Sequence, residues 1–270
     1  MLLTDYTYYQ GDSAITAMYQ GNVKVYPLEP PVTNNKIYYT STDGNKVYPF
    51  TAGTPTFGAK IVSHTYGSEG GVITFDGAVT NIGNSAFDFC TSLLSIDIPD
   101  SVTGIGNMAF AECRSLSSIT IPDSVTGIGS SAFTDCYNLL SVTIGGGVTS
   151  IGNWAFQSCH ALSSVTIGGG VTSIGKSAFG SCYALSSVTI PDSVTSIGID
   201  AFNFCLALSS VTIGSGVTVI GEAAFIDCRA LQNISYNGTQ AQWATITKGT
   251  GWNTETPATV VHCSDGDVPI

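Results

Sequence analysis

The chain has 270 residues, a net charge of −11, only 10% charged residues and 31 glycines. That balance lacks the basic stripe that neutralises phosphates, so it excludes nucleic acid as a partner and disfavours adhesion to anionic lipid. No apolar run approaches the ~20 residues that cross a bilayer, which excludes membrane insertion.

Met1 to Tyr6 carries neither a basic segment nor an apolar run of the secretory type. The expectation is an extracellular chain on a cell surface or a virion appendage, with a cytoplasmic location left open. Residues 1–31 hold a Tyr-rich stretch ending in Gly21-Asn22-Val23-Lys24-Val25-Tyr26-Pro27, then Pro30-Pro31. The double proline makes a stiff linker, so this part is expected to be an attachment segment. Gly44-Asn45-Lys46-Val47-Tyr48-Pro49 is related to the earlier string and suggests a second small β unit. Gly71-Val72-Ile73-Thr74-Phe75 aligns with the strand part of the repeats that follow, which makes residues 32–78 an N-terminal cap. Such a cap is needed because an open stack exposes apolar core and unpaired strand edges.

From Val79 to Thr239 the chain repeats itself. Cys90, Cys113, Cys136, Cys159, Cys182, Cys205 and Cys228 stand 23 residues apart, and Phe87 to Phe225 and the Ile-Gly pairs keep the same step. A fixed period in this range defines a solenoid in which each coil buries its apolar face against its neighbours. Within Val148–Gly170, the alternation Ser164-Val165-Thr166-Ile167 predicts a strand with Val165 and Ile167 inward. Ala155, Phe156, Cys159 and Leu162 have the spacing of one face of a short helix, with Asn153 as its N-cap. Gly152 marks a corner where a side chain would clash or φ must be positive. Pro-Asp-Ser, Gly-Gly-Gly and Gly-Ser-Gly close the coils and are expected to serve one and the same bend. Residues 240–270 are expected to cap the other end, with Trp243 and Trp252 as its lid and Thr259–Cys263 as a strand.

The string L-x-S-V-T-I-P-D-S-V-T-x-I-G-x-x-A-F-x-x-C resembles the BspA-like leucine-rich repeats of bacterial surface, protozoan surface and phage-borne proteins. The resemblance covers residues 79–239. It implies a right-handed leucine-rich-repeat stack of seven 23-residue coils, each with short strands and a short helix, between β-rich caps. It also implies adhesive or host-contact roles. No catalytic residue belongs to the pattern, so none is carried over and no enzyme is expected.

One cysteine per coil supplies neither the clustered ligands of zinc nor disulfide partners, so the thiols are expected to be buried fillers and no metal or cofactor is called for. The G-x-G-x-x-A strings at Gly104 and Gly127 are by-products of the repeat and lack the long βαβ unit of a dinucleotide site. The threonine column from Thr80 to Thr218 suits an exposed sheet whose hydroxyls satisfy one another. The position after each cysteine varies: Thr91, Arg114, Tyr137, His160, Tyr183, Leu206, Arg229. Tyr137, His160 and Tyr183 fall on consecutive coils, and aromatic and arginine side chains are the usual anchors of interfaces. Arg114, Tyr137, His160, Tyr183 and Arg229, with Trp154, are therefore the candidate contact residues. The expected function is recognition of a protein or glycan on another cell surface. A rigid spacer is the alternative, and self-association into a homo-oligomer is left open.

Overall fold

A computed structural model describes residues 17–20, 23–27, 34–50 and 56–270. Strands β1 (Ala17–Gln20) and β2 (Val23–Pro27) pair antiparallel, and the remainder of the expected attachment segment lies outside the described residues. The cap sheet contains β3 (Lys36–Ser41), β4 (Ile61–Gly67) and β5 (Gly70–Phe75), with the first coil strand Leu93–Ile96 on its far side. Although residues 71–75 align with a coil strand in sequence, β3 lies between β5 and Leu93–Ile96, antiparallel to both. The related string Gly44-Asn45-Lys46-Val47-Tyr48-Pro49 forms no strand. Its Val47 is buried, and the Val47 N–H donates to Tyr39 Oη at 3.1 Å.

Each coil contributes one residue to every column of the stack. Two-residue strands from Asn81–Ile82 to Thr247–Lys248 form an eight-stranded parallel ladder in strict chain order. Inside, the rings of Phe87 to Phe225 stack at 5.0–5.3 Å and lie within 8° of parallel. All are fully buried, at 0% exposure. Phe57 closes this column at the cap end, edge-on to Phe87 at 5.8 Å, and Trp252 closes it at the other, 6.2 Å from Phe225. Trp243 packs on Trp252 and Tyr236.

The expected short helix does not form. Residues 153–162 run through successive turns, with Trp154 at φ 57° and Ser158 at φ 59°. An α-helix needs negative φ and bonds between residues four apart. Here alternate amides leave the coil instead: Trp154, Phe156 and Ser158 donate to the carbonyls of Lys176, Ala178 and Gly180 in the next one. Left-handed backbone at non-glycine residues costs free energy, and these inter-coil bonds offset it. Asn153 is likewise no N-cap. Its Oδ1 accepts the Lys176 N–H at 2.8 Å and clamps two coils together. Gly152 needs to be glycine for space: its φ is not positive, and a Cβ there would lie 2.6 Å from the Gly129 carbonyl carbon.

Polar side chains repeat the clamping. Cys113 to Cys228 each donate a thiol proton to the phenylalanine carbonyl 26 residues earlier, at 3.1–3.3 Å. The threonine hydroxyls from Thr103 to Thr218 do not bond one another. Each donates to the backbone carbonyl of the threonine one coil back.

On the long-strand face, proline and glycine turns prove unequal. Gly145, just past its strand, donates its N–H to the Ile121 carbonyl at 2.9 Å, and Asn237 does the same toward Ile213. Pro122 and Pro191 occupy the same position and have no proton to give. At both places the sheet is interrupted: Ser118–Ile121 does not pair with Leu93–Ile96, nor Ser187–Ile190 with Ser164–Thr166. Core residues before each seam lose cover. Ile98, Val165 and Ile167 are half-buried, whereas the equivalent Val142, Ile144, Val188 and Ile190 are buried. Val165 and Ile167 thus point inward as the alternation predicts but line a seam.

After Tyr236 the 23-residue register ends, yet the stack gains one more turn. Helix α1 (Gln240–Thr245) is inserted here, started by a capping box between Thr239 and Gln242. The chain then rejoins both ladders, through Thr247–Lys248 and through Val260–Cys263, which pairs with Asn233–Tyr236. Gly266–Pro269 folds back antiparallel and ends the sheet.

Candidate recognition surface

The residue after each cysteine lies where the turn arc swings into the long strand. Backbone bonds hold that row in register: Ala161, Ala184 and Ala207 donate to the carbonyls of Tyr137, His160 and Tyr183 one coil back. Because the rows cannot slip, rings on consecutive coils are forced face to face. Tyr137 and His160 stack at 4.9 Å and 13°, and His160 and Tyr183 at 4.5 Å and 10°. The Arg114 guanidinium caps the stack 5.3 Å above the Tyr137 ring, a cation–π contact.

Two carboxylates the sequence reading passed over steady this ladder. Glu112, two residues before Arg114, holds its Nε and Nη2 at 2.7 Å. Asp135 stands in the same place relative to Tyr137. Partial burial first, and then the Asp135 charge, push the Tyr137 phenol above its usual range, so it stays protonated. The position one before each cysteine reads Phe89, Glu112, Asp135, Ser158, Ser181, Phe204, Asp227. An acid there followed two residues later by arginine, at 112/114 and again at 227/229, is the pattern that reveals these pairs.

The other candidates stand apart. Arg229 is bound to Asp227 at 2.8 Å and is separated from Tyr183 by Leu206. Trp154, 36% exposed, lies earlier on the arc and does not join the stack. Tyr183 is 42% exposed, and on the next coil Leu206, which follows it in the same row, and Phe204 are also exposed. The ladder therefore leads from a charged end at Arg114 to an apolar end. Its ring faces are spent on one another, so what it offers outward is a ridge of ring edges and polar tips.

No group of three or more metal-ligating side chains comes together among the described residues. All eight cysteines are free thiols. Gly104 and Gly127, the first glycines of the dinucleotide-like strings, have no close neighbour that excludes a side chain, whereas Gly106 and Gly129 press on the backbone one coil back. The spacing of those strings therefore follows from packing. No helix among the described residues is long and apolar enough to cross a membrane.

A solenoid of 23-residue coils with phenylalanine, cysteine and Ile-Gly columns is the architecture of a leucine-rich repeat. A family model of the BspA-type leucine rich repeat region matches 6 copies over residues 66–185 and 149–248. The chain belongs to that family. Among solved structures it is similar to a leucine rich cell surface protein from Faecalibacterium prausnitzii, at 30% identity over 64% of this chain and 61% of that one, with a TM-score of 0.49. It is similar also to the T. pallidum leucine rich repeat protein, at 29% identity over 59% and 73%, TM-score 0.52. A leucine-rich repeat protein from Bacteroides ovatus matches at 26% identity over 69% and 58%, TM-score 0.41. The match spans less than two thirds of the F. prausnitzii protein. No curated protein matches significantly. The family is one of repeat modules that typically serve as non-enzymatic binding scaffolds.

Proposed function

We propose that this chain is a recognition module, carried on a cell surface or a virion appendage, that binds a protein on another cell through the Arg114–Tyr137–His160–Tyr183 ladder. The observation that carries the reading is the ladder itself: four large side chains on four consecutive coils, stacked and partly open to solvent. Aromatic and arginine anchors held rigid before contact lose little entropy on binding. A protein suits this surface better than a glycan, because a sugar ring packs on a free aromatic face and these faces cover one another. The relative from F. prausnitzii carries the description of a cell surface protein, which supports the proposed location.

The test is binding of the fluorescent chain to intact cells and to a glycan array. Cell binding that is destroyed by prior protease treatment of the cells, and lost in Tyr137→Ala/Tyr183→Ala but kept in Ser187→Ala, supports the proposal. Binding to arrayed glycans, or cell binding untouched by the double substitution, overturns it. Deletion of the 23-residue Cys205 coil should leave recognition intact, and deletion of the Cys159 coil should abolish it. A mere spacer would tolerate both.

A further inference from the structure

We propose that the outer edge of β4 is a self-association surface, through which two copies of the chain join head to head by pairing β4 antiparallel with β4 of the second copy. This is independent of the aromatic ladder and of the recognition proposed for it.

The two ends of the stack are finished differently. At the C-terminal end the last strand, Gly266–Pro269, has four residues, ends in proline, and its Asp267 carbonyl already accepts the Gln240 Nε2 proton at 2.8 Å. Short strands, prolines and covered carbonyls guard a sheet edge against further pairing. At the other end β4 is the outermost strand of the cap sheet, bonded to β5 on one side and, among the described residues, to no strand on the other. Its seven residues, Ile61-Val62-Ser63-His64-Thr65-Tyr66-Gly67, include no proline, carboxylate, lysine or arginine. The bulge at Val62 lies near its start and leaves Ser63–Gly67 in regular register. An edge of this kind accepts a further strand through main-chain hydrogen bonds.

Cover also runs out here. On the inner face of the cap sheet Gly71, Ile73 and Phe75 of β5 are buried, but their partners Tyr66, His64 and Ile61 on β4 are only half-buried. A hollow of 870 Å³ lies beside them, lined by Tyr48, Phe57, Ile61 and His64 among others. Tyr48, whose ring is 5.8 Å from that of His64, is 76% exposed, and Val62 is 61% exposed.

Charge says which strand fits. Residues 34–78 hold three lysines (Lys36, Lys46, Lys60) and three acids (Asp43, Glu69, Asp76), so the cap is balanced although the chain carries −11. Two caps can therefore meet without the repulsion that two acidic coil faces would feel. Lys60 stands just before β4 and Glu69 just after it, both exposed and neither in an ion pair among the described residues. The seven residues of β4, at ~3.4 Å each, set them roughly 20 Å apart, too far to meet within one chain. A two-fold axis through the middle of β4 reverses the second strand and brings Lys60 of each copy beside Glu69 of the other. The edge is thus complementary to itself, which is what an isologous pair requires. Such a pair carries two aromatic ladders, which strengthens its hold on a surface rich in one target.

The test is sedimentation equilibrium of the full chain at up to about 100 μM, with amide hydrogen exchange measured on dilute and concentrated samples. The parent should dimerise, and the amides of β4 should gain protection as the concentration rises. Lys60→Glu sets like charges against each other at both ends of the paired strands and should weaken the dimer by about tenfold. Glu69→Lys should do the same. Lys60→Glu/Glu69→Lys puts opposite charges back in contact and should return the parent's affinity, which damage to folding could not do. Tyr137→Ala/Tyr183→Ala should dimerise as the parent does, so either surface can fail without the other. A chain that stays monomeric, a dimer in which β4 gains no protection, or a charge swap that dimerises no better than the single variants overturns the proposal. So does loss of the dimer in Tyr137→Ala/Tyr183→Ala, and so does a monomer whose β4 amides are protected at every dilution, the mark of a segment of the same chain on that edge.

Discussion

Cys159 Sγ lies 3.2 Å from the carbonyl oxygen of Phe133, one coil back and deep in the stack, and donates its proton to it. The cysteines are therefore more than apolar fillers: each ties its coil to the backbone of the one before. A donor must keep its proton, and burial drives these thiols strongly that way, raising Cys113, Cys159 and Cys205 well above the ordinary thiol range. Even half-buried Cys90 is pushed up to about 12, by burial first and by Asp88 second. Iodoacetamide at neutral pH should leave Cys113 to Cys228 unmodified in the folded chain and label them all after denaturation. Mass spectrometry showing fast labelling of Cys159 in the native chain would contradict the buried-donor picture. Cys159→Ala should cost about 1–3 kcal/mol in urea unfolding, since the Phe133 carbonyl loses its donor inside the core.

Pro191 gives the strand face its second interruption. Pro191→Gly restores an amide proton facing Ile167, worth about 0.5–1.5 kcal/mol, and lets Val165 and Ile167 regain cover. Greater freedom of glycine in the unfolded chain offsets about 0.4–1 kcal/mol of that. Net stability should change little, but the amides of Ser187–Ile190 should exchange more slowly. Unchanged exchange there would mean that something other than the missing proton holds the seam open.

Periodicity made the stack, its core columns and the neighbouring rings of Tyr137, His160 and Tyr183 legible, because an unbroken 23-residue register leaves equivalent residues no other place. The turn arc was not legible. Ala155, Phe156, Cys159 and Leu162 face the core from a chain of turns with the spacing they would have on a helix, and nothing in that spacing reports the positive φ of Trp154 and Ser158. Proline and glycine were equated because both make the bend. Their difference lies in the amide proton aimed at the previous coil, and that direction exists only in three dimensions. Glu112 and Asp135 were overlooked since a lone acid on a turn is usually solvated. Their role depends on the side chains two residues on.

Glycines in the Ile-Gly corner and glycines two residues before them should respond oppositely to substitution. A Cβ at Gly152 would sit 2.6 Å from the Gly129 carbonyl carbon, and backbone cannot give way there without separating two coils. Gly152→Ala should therefore destabilise by about 1–3 kcal/mol, the range of overpacked cores. Gly104 has nothing within 4 Å of the same added atom. Gly104→Ser, the residue other coils carry there, should unfold within about 0.5 kcal/mol of the parent. Equal effects in a denaturant titration would remove close coil approach as the reason for the invariant glycine.

His64 makes the N-terminal cap sensitive to mild acid. Its Nε2 stands 2.6 Å from Tyr39 Oη, whose oxygen also accepts the Val47 N–H. With the Tyr39 oxygen occupied by that amide, its O–H proton is free to be given to a neutral imidazole. Protonated His64 would be a donor facing a donor. Burial, and secondarily the Lys46 charge, lower the His64 pKa below its ordinary value, while burial raises that of Tyr39. The unfolded chain, with an imidazole pKa near 6.5, then binds more protons than the folded one once the pH drops below about 6.5. The stabilisation is complete above that value and is lost as the pH falls toward the lowered folded pKa. His64→Gln keeps an acceptor for Tyr39 but cannot titrate, and His160 and His262 are common to both proteins. Between about pH 7 and pH 5 the parent should lose more in Tm than His64→Gln does, with hydrogen exchange rising first in β3 and β4. Parallel losses in the two proteins would show that the cap does not depend on a neutral His64.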